Sequence, residues 1–215
     1  MQPNVHVYWS FRSPYSYLVT PDLLRLRVDF NVDVRLRPVL PIALRAKSTL
    51  FDPTDKKRPR YIVMDVRRRA EFLGLPFVWP KPDPVIQDPE TYDVPAEQPR
   101  IWRLTGLGVE AERRGKGIEF AHAVAALIWG GTRDWDQGDH LARATALAGL
   151  DLAEMEAALI PEDVKAEVEA NHQALEAAGH WGVPTMVYEG EPFFGQDRID
   201  TLRWRLEQAN LKKAG

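Results

Sequence analysis

Val-His-Val-Tyr-Trp-Ser-Phe-Arg-Ser-Pro-Tyr-Ser-Tyr-Leu, residues 5–18, is the stretch of sequence that decides the fold. Residues 5–9 are β-branched and aromatic and form a run short enough for a buried strand. Ser13 can cap a helix, and Pro14 suits the first helical position because the N–H that it lacks is not needed there. The stretch therefore predicts a strand that leads directly into a helix.

The predicted helix carries Leu18, Leu23 and Leu24 toward a core. Pro21 interrupts it, so we expect a kink, or a restart with Thr20 as a second cap. A second strand is predicted over 32–36 and ends at Pro38. Two parallel strands need a right-handed crossover, and the helix after Ser13 provides it.

The middle of the chain has a helical pattern interrupted by one unusual segment. Apolar residues from Ile62 to Leu73 keep helical spacing, and Leu-Gly-Leu-Pro at 73–76 is a good C-terminal stop. Seven prolines fall between Pro76 and Pro99, which predicts an extended surface segment without regular structure. Asp139 and Asp151 stand where helix caps are expected. Further helices are predicted over 100–114, 118–129, 140–149, 152–159 and 162–178.

The last part of the chain returns to strand patterns. Residues 185–188 and 192–194 predict two short strands, joined by a tight turn at Glu189-Gly190. A final helix is expected from Asp197 through Leu211. The order β-α-β, helical block, β-β-α predicts an α/β fold, in which a thioredoxin-like sheet domain (1–45 and 180–215) is interrupted by a mostly helical insertion (46–179).

Composition excludes several classes of function. The chain has 215 residues, 45% of them hydrophobic, and a net charge of −3, so no basic excess indicates a nucleic-acid partner. The longest strictly apolar run, Ala123–Trp129, is far shorter than the roughly 20 residues of a membrane helix. The N-terminus has no charged start followed by an apolar segment. We expect a soluble cytoplasmic protein.

The chain contains no cysteine. Disulfides, CxxC redox chemistry, cysteine nucleophiles, zinc fingers and iron–sulfur ligation are thereby excluded. No thiol of the protein itself takes part in its chemistry.

Three sites in the predicted sheet domain are of chemical interest. Ser13 lies at a helix N-terminus, where the dipole and free N–H groups favour anions, although a simple cap explains it as well. The segment 181–185, Trp-Gly-Val-Pro-Thr, enters a strand with a proline that is either cis or an ordinary edge proline. In 195–198, Gly-Gln-Asp-Arg, Asp197 is either a cap or a ligand for an amino group.

These motifs together resemble one family. Ser-Pro-Tyr-Ser-Tyr-Leu at 13–18, Leu-Arg-Pro at 36–38, Gly-Val-Pro-Thr at 182–185 and Gly-Gln-Asp-Arg at 195–198 are similar to the kappa-class glutathione transferases and the related 2-hydroxychromene-2-carboxylate isomerases. The resemblance spans essentially the whole chain. It implies a DsbA-like thioredoxin fold with a helical insertion, glutathione as cofactor, and a homodimer.

The resemblance also implies roles for particular residues. Ser13 would contact the glutathione sulfur, and Val183, before a cis Pro184, would pair its backbone with the cysteinyl unit. Gln196 and Asp197 would hold the γ-glutamyl end. Arg58, three residues before a tyrosine, would contact glutathione as well, with Lys57 as the alternative.

The chain departs from the family pattern at several positions. Ser10 stands where the family has an acid, and Arg58 where it has a lysine. Residues 48–53 contain no Asn before the proline, and Pro21 is unusual in the first helix.

The resemblance leaves more than one function open. The first is a glutathione-dependent isomerase, in which Ser13 stabilises a thiolate that adds to and leaves an aromatic ring-cleavage product. The alternatives are a kappa-like transferase that conjugates electrophiles and a non-catalytic thioredoxin-like binding module. The expected partners are glutathione and a small aromatic or electrophilic substrate, with no nucleic acid and no membrane.

Other clusters are better explained by structural roles. Capping charges at helix starts account for the acidic residues of 134–139 and His140, so no metal site is expected. His122 is expected to be a satisfied core residue. The arginines at 67–69 are expected on a solvated face.

Overall fold

The computed structural model describes residues 2–45 and 50–213, which contain a four-stranded sheet and a series of helices. The strands are β1 Asn4–Trp9, β2 Asp33–Pro38, β3 Thr185–Tyr188 and β4 Glu191–Phe194. The helices are α1 Pro14–Asp29, α2 Ile42–Arg45, α3 Lys57–Leu73, α4 Pro99–Arg113, α5 Gly117–Trp129, α6 His140–Leu147, α7 Leu152–Ala158, α8 Pro161–Ala177 and α9 Ile199–Gln208. A 3₁₀ turn, Gln196–Arg198, precedes α9. The predicted strands and longer helices are confirmed, whereas α2 and the 3₁₀ turn were not predicted, and α9 ends before Leu211.

The sheet joins the two ends of the chain. Its strand order is β2-β1-β3-β4, with β1 and β2 parallel and the other two pairs antiparallel. Tyr8 of β1 faces Thr185 of β3, so the start of α1 lies close to the residues that precede β3. The tight turn between β3 and β4 is confirmed. Glu189 and Gly190 both have positive φ, at 49° and 81°, as a two-residue hairpin of this hand requires.

Helix α1 runs through Pro21 without a restart. The proline has no N–H to donate to the Tyr17 carbonyl one turn earlier, and the Thr20 hydroxyl donates to that carbonyl instead, at 2.8 Å. The same hydroxyl forms a hydrogen bond with Nδ1 of His122 on α5 at 3.0 Å, so His122 has the expected partner, although it is only partly buried. The expected restart with Thr20 as a cap is wrong, because Thr20 lies inside a continuous helix and its hydroxyl supplies the hydrogen bond that the Tyr17 carbonyl lacks at Pro21.

Side chains from the helical block satisfy the backbone at edge strand β2 and just beyond it. The Glu112 carboxylate of α4 accepts the Leu36 N–H at 2.9 Å. At the last residue of the strand, Asn171 of α8 donates to the Pro38 carbonyl at 3.0 Å, and two residues further on His172 accepts the Leu40 N–H at 2.9 Å. These contacts cover a strand edge that would otherwise be open to another chain, and they fix the segment leading to α2.

The proline-rich segment lacks helix and strand between α3 and α4, as predicted, but it is not simply a surface segment. Val85 is buried, and the Phe77 ring stacks on Trp129 with 5.7 Å between centroids. Trp79 meets Trp129 edge to face at 5.4 Å, and the Trp135 indole donates to the Pro82 carbonyl at 2.7 Å. Aromatic side chains between the prolines anchor the segment to α5.

Of the two expected acidic caps, one is confirmed. Asp151 accepts the Glu154 N–H at the start of α7 at 2.9 Å. Asp139 precedes α6, but no hydrogen bond joins its side chain to the first turn, so that prediction is wrong. Its carboxylate lies 3.5 Å from Arg143 instead.

The division into a sheet domain and a helical insertion stays a prediction. One continuous core contains Trp9 and Leu36 of the sheet together with Phe120 and Trp129 of α5. The predicted boundary after residue 45 coincides with the end of the first described range. Residues 48–49, from the stretch that lacks Asn, lie outside the described residues. In the described ranges, no helix has the length and apolar character needed to cross a membrane.

We predict that the stability of the fold decreases between pH 6.5 and about 4 because of His172. Burial, together with the charge of Arg45, lowers its pKa to about 4, while Glu169 acts in the opposite direction. The unfolded chain binds this proton near pH 6.5 and the folded chain does not, so the free energy of unfolding falls as the pH drops through this window, by up to about 3 kcal/mol.

Urea denaturation from pH 7 to pH 4.5 measures this loss. His172→Gln keeps an acceptor for the Leu40 N–H and should show a shallower pH dependence than the wild type. His140→Gln at the start of α6 should retain the wild-type slope. Equal slopes in wild type and His172→Gln would contradict the assignment.

Candidate functional site

A cavity of about 500 Å³ opens where the two ends of the chain meet. Its wall comes from the β1–α1 loop, α2, α3, the proline-rich segment and residues 181–183, together with Phe194 of β4. The wall is largely apolar, and the volume lies within the range of about 300–1,000 Å³ that is typical of small-molecule sites. This cavity is the candidate functional site, and of the predicted site residues Ser13 and Val183 line it.

Ser13 is both a helix cap and a residue of the cavity wall. Its Oγ accepts the Ser16 N–H at 3.1 Å and donates to the Val183 carbonyl at 3.4 Å. The second bond is long and therefore weak, whereas the first polarises the hydroxyl toward donation. The first turn of α1 contains no acidic residue, so nothing there neutralises the positive end of the helix. The hydroxyl is thus placed to donate to an anion in the cavity.

Close packing of aromatic rings shapes the segment before β3. The Val183-Pro184 peptide is cis, as expected, and Thr185 Oγ1 donates to the Gly182 carbonyl at 2.8 Å. The His180 ring stacks on Phe194 at 3.9 Å, and a Cβ on Gly182 would lie 2.5 Å from the Phe194 ring. Gly182 is therefore needed for the close approach of the ring that forms this side of the cavity mouth.

Ser10, which replaces the acid of the family pattern, lies on the cavity wall. The residue is 1% exposed, and its Oγ has no hydrogen-bond partner among the described residues. Its carbonyl accepts the Ser13 N–H at 3.0 Å, which fixes the loop before α1. Ser16 Oγ is also buried and unpartnered, but Ser16 does not line the cavity.

Arg12 connects the β1–α1 loop to the proline-rich segment. Its guanidinium donates to both oxygens of Asp83, at 2.9 and 3.2 Å, and to Gln87 at 2.8 Å. It also lies over the Phe51 ring, 5.5 Å from the centroid, and Phe51 contacts Tyr92. The proline-rich segment therefore forms one wall of the site, a role that its composition did not predict.

Tyr15, two residues after Ser13, donates its phenol to Asp65 of α3 at 2.6 Å. Burial and this hydrogen bond raise the pKa of Tyr15, so its phenol stays protonated. Burial alone would raise the pKa of Asp65, but the hydrogen bonds from Tyr15 and Arg68 outweigh it and lower that pKa. The pair fixes the cavity wall near Ser13 to α3.

The other predicted ligand residues lie outside the cavity wall. Arg58 is exposed in the first turn of α3, and Asp197 is exposed and pairs with Arg198 at 3.2 Å. Gln196 is buried, and its amide oxygen accepts a hydrogen bond from Arg69 at 3.0 Å. Arg69 was expected on a solvated face, and this is wrong, because its Nε is buried and has no partner among the described residues. The 3.6-residue spacing from Val66 and Ala70 could have indicated that position 69 lies at the edge of the buried face.

The acidic cluster at 134–139 is engaged in ion pairs. Asp136 pairs with Arg100 at 2.7 Å, beside a smaller cavity of about 180 Å³. Within the described ranges, no three or more His, Asp or Glu residues form a group that could hold a metal ion.

Comparisons with known proteins bear on this site. The model of the DsbA-like thioredoxin domain family matches residues 4–207. The chain is 24% identical over 203 residues to the 2-hydroxychromene-2-carboxylate isomerase of Pseudomonas putida, covering 92% of this chain and 91% of that protein. A solved HCCA isomerase superimposes with a TM-score of 0.69 at 23% identity, covering 96% of this chain and 95% of that one.

A second solved structure is the cytosolic disulfide reductase DsbM from Pseudomonas aeruginosa with GSH. It superimposes with a TM-score of 0.62 at 19% identity, and covers 95% of this chain and 99% of that chain. These likenesses confirm the predicted thioredoxin-like α/β fold.

We predict that the Arg12–Asp83 pair stabilises the fold by about 1–2 kcal/mol, since both side chains are largely buried and the contact is bidentate. A double-mutant cycle of Arg12→Met and Asp83→Asn, followed by urea denaturation, measures this coupling. The Arg25–Asp22 pair, with its arginine 69% exposed, is the matched control and should give under about 0.5 kcal/mol. Equal coupling in the two pairs would contradict the prediction.

Replacement of Ser10 by alanine measures how much its buried hydroxyl destabilises the fold. Removal of a buried, unpartnered hydroxyl is expected to raise the free energy of unfolding by about 1 kcal/mol in both Ser10→Ala and Ser16→Ala. Destabilisation of Ser10→Ala by more than about 1 kcal/mol would show that its hydroxyl has a partner in the folded chain.

Proposed function

Because the chain belongs to the DsbA-like thioredoxin family, we propose that it is a glutathione-dependent isomerase of the 2-hydroxychromene-2-carboxylate isomerase type. The names of the curated relatives support an isomerase, and the GSH bound to the DsbM relative supports glutathione as the cofactor. One observation carries the proposal: the capping hydroxyl of Ser13 faces a cavity beside the cis Val183-Pro184 peptide, in a chain without cysteine. The thiol must then come from the ligand.

The residues present fit a thiolate. The Ser13 hydroxyl can redirect its hydrogen bond from the Val183 carbonyl, at 3.4 Å, to a thiolate sulfur and keep its proton, while it still accepts the Ser16 N–H. The Asp83 carboxylate on the wall is paired with Arg12, so it does not repel an anion as a free carboxylate would. The first turn of α1 adds the favourable field of its N–H groups.

The hydrogen bond from Ser13 and the helix N-terminus are together strong enough to keep a bound thiol ionised near pH 7. A free thiol has a pKa of about 8.5, and each unit by which it is lowered corresponds to about 1.36 kcal/mol. A hydrogen bond to a charged sulfur contributes about 1.5–3 kcal/mol and the helix N-terminus about 0.3–1 kcal/mol. Together they can lower the pKa of a bound thiol by about one to three units, which yields a thiolate near pH 7.

Glutathione, held at its sulfur by Ser13 and at its cysteinyl unit by the Val183 backbone, would supply the nucleophilic and readily leaving thiolate that a reversible addition to a conjugated substrate requires. Ser13 acts as a hydrogen-bond donor and is neither nucleophile nor base. Val183 holds the cysteinyl backbone beside cis Pro184. We assign Gln196 and Asp197 to the γ-glutamyl end and Arg58 to a further contact, with Arg69 orienting the Gln196 amide.

Two alternatives are compatible with the same family. A kappa-like transferase would use Ser13 in the same way but release a glutathione conjugate of an electrophile. A non-catalytic binding module is favoured by one observation: Arg58, Gln196 and Asp197 lie outside the cavity wall. Product analysis separates isomerase from transferase, because only the isomerase regenerates free glutathione.

We assign the enzyme to aromatic catabolism in the cytoplasm, with a small aromatic substrate and with neither nucleic acid nor membrane as partner. We also propose a homodimer, which light scattering tests directly: a monomer mass would refute it.

We predict that Ser13→Ala raises the pKa of bound glutathione by about one to two units, because the thiolate loses its hydrogen bond. Turnover at pH 7 should fall about 10- to 100-fold. The pKa is measured from the ultraviolet absorbance of the thiolate during a pH titration of the complex.

Asp151→Ala is the matched control, since it also removes a helix cap but lies at α7, away from the cavity. Each variant should lose about 1 kcal/mol of stability, whereas Ser13→Ala alone should alter the thiol. Failure of the wild type to bind millimolar glutathione would exclude the proposed function, and unchanged turnover of Ser13→Ala would exclude the role of Ser13.

A further inference from the structure

Arg45 is a cation of the cavity wall that has no role in the proposed chemistry of Ser13. It is the last residue of α2 and is partly buried. Its Nε donates to the Leu40 carbonyl at 2.6 Å and its Nη2 to the Trp181 carbonyl at 3.0 Å. Two backbone carbonyls therefore hold the guanidinium in place, and no hydrogen bond joins its other three N–H groups to a described residue.

Within the part of the chain that the structure describes, Arg45 forms no ion pair. Among the described wall residues, Arg12, Arg45 and Asp83 carry formal charge, and Arg12 and Asp83 compensate each other. No carboxylate of the described residues lies within 4 Å of Arg45. Burial lowers its pKa, and the charge of Glu176 opposes this, but a guanidinium stays protonated at neutral pH. Among the described wall residues, Arg45 thus presents a positive charge without an ion-pair partner.

The surroundings of this charge are aromatic. Phe51, Trp79, Tyr92, Trp181 and Phe194 all line the same cavity as Arg45. Trp181 and Phe194 are 46% and 44% exposed, so their rings are open to an incoming molecule. Aromatic rings favour a flat apolar ligand, and a fixed cation among them favours one that carries an anionic group.

Arg45 and Ser13 are close enough to serve one ligand. They bond the carbonyls of Trp181 and Val183, which are two residues apart in the chain. Two residues span at most about 7 Å, so the guanidinium and the Ser13 hydroxyl lie within about 13 Å of each other. A molecule with two or three fused or conjugated units can reach both.

We propose that Arg45 binds the carboxylate of a flat aromatic acid and thereby determines the specificity of the cavity for anionic substrates. This inference rests on the proposed function in so far as the acid is the second substrate beside glutathione. Glutathione also carries carboxylates, so the shared chemistry is a carboxylate held by Arg45, and the test must separate the two sources.

The test compares trans-cinnamate with cinnamamide, which have the same shape and differ in charge. Quenching of tryptophan fluorescence reports binding, since Trp79 and Trp181 line the cavity. The wild type should bind cinnamate about tenfold more tightly than cinnamamide, as a charge-assisted hydrogen bond predicts. Arg45→Met should bind the two equally, with unchanged affinity for cinnamamide, and Arg45→Lys should keep part of the preference.

Arg25→Met is the matched control, because it removes the same charge from an exposed site on α1 and should retain the wild-type preference. Unchanged cinnamamide binding shows that the cavity of Arg45→Met is intact, and Arg45→Gln replaces this variant if it does not fold. Equal binding of the two probes by the wild type, or a preserved preference in Arg45→Met, would overturn the proposal.

A glutathione titration of Arg45→Met separates the two sources of carboxylate. Unchanged glutathione affinity with a lost preference for cinnamate supports the proposal, whereas lost glutathione affinity with a preserved preference assigns Arg45 to the tripeptide and refutes it. The cinnamate test needs no glutathione. Loss of the proposed function would therefore appear as absent glutathione binding in the wild type, with the cinnamate result unaffected.

Discussion

The antiparallel pairing of β3 with β1 is the interaction on which the site depends. It places Thr185 opposite Tyr8, so that the cis Val183-Pro184 peptide meets the first turn of α1 although about 170 residues separate them. Neither end of the chain contains the site alone. The helical block between them supplies the rest of the wall through α2, α3 and the proline-rich segment, and it also covers the open edge of β2.

Sequence patterns predicted the strands, the longer helices and the position of the first helix, because these depend on local periodicity and on caps, whereas the short helix α2 and the 3₁₀ turn have no such signal. Short apolar runs predicted the strands, and Leu-Gly-Leu-Pro predicted the helix stop that the positive φ of Gly74, 67°, confirms. Contacts between distant residues could not be predicted in this way. Arg12 and Asp83 are 71 residues apart, and no local pattern indicates that a charged loop residue will hold a proline-rich segment against a cavity.

In the candidate site too, local motifs predicted some residues, while contacts between distant parts of the chain determine the others. Ser13 and Val183 come from motifs that the resemblance identifies, and the structure brings them together at the cavity. Arg45 follows a segment whose only sequence signal is a proline after a strand, and its environment is set by the carbonyl of Trp181, far along the chain. Ser10 is informative for the opposite reason. The sequence shows only that Ser10 stands where the family has an acid. The structure adds that its hydroxyl is buried and has no hydrogen-bond partner among the described residues. Such a group reduces the stability of the empty protein.

The Thr20–Pro21 pair in α1 has a consequence for how this chain can vary. The hydroxyl of Thr20 replaces the backbone donor that Pro21 lacks. The effect of a substitution at either of these two positions therefore depends on the residue at the other. A proline could enter this helix only after, or together with, a residue able to bond the Tyr17 carbonyl. A later exchange of Thr20 for valine would preserve shape yet leave that carbonyl unsatisfied one turn above the capping serine. Drift at these two positions should therefore be correlated, and the order of the two changes is constrained.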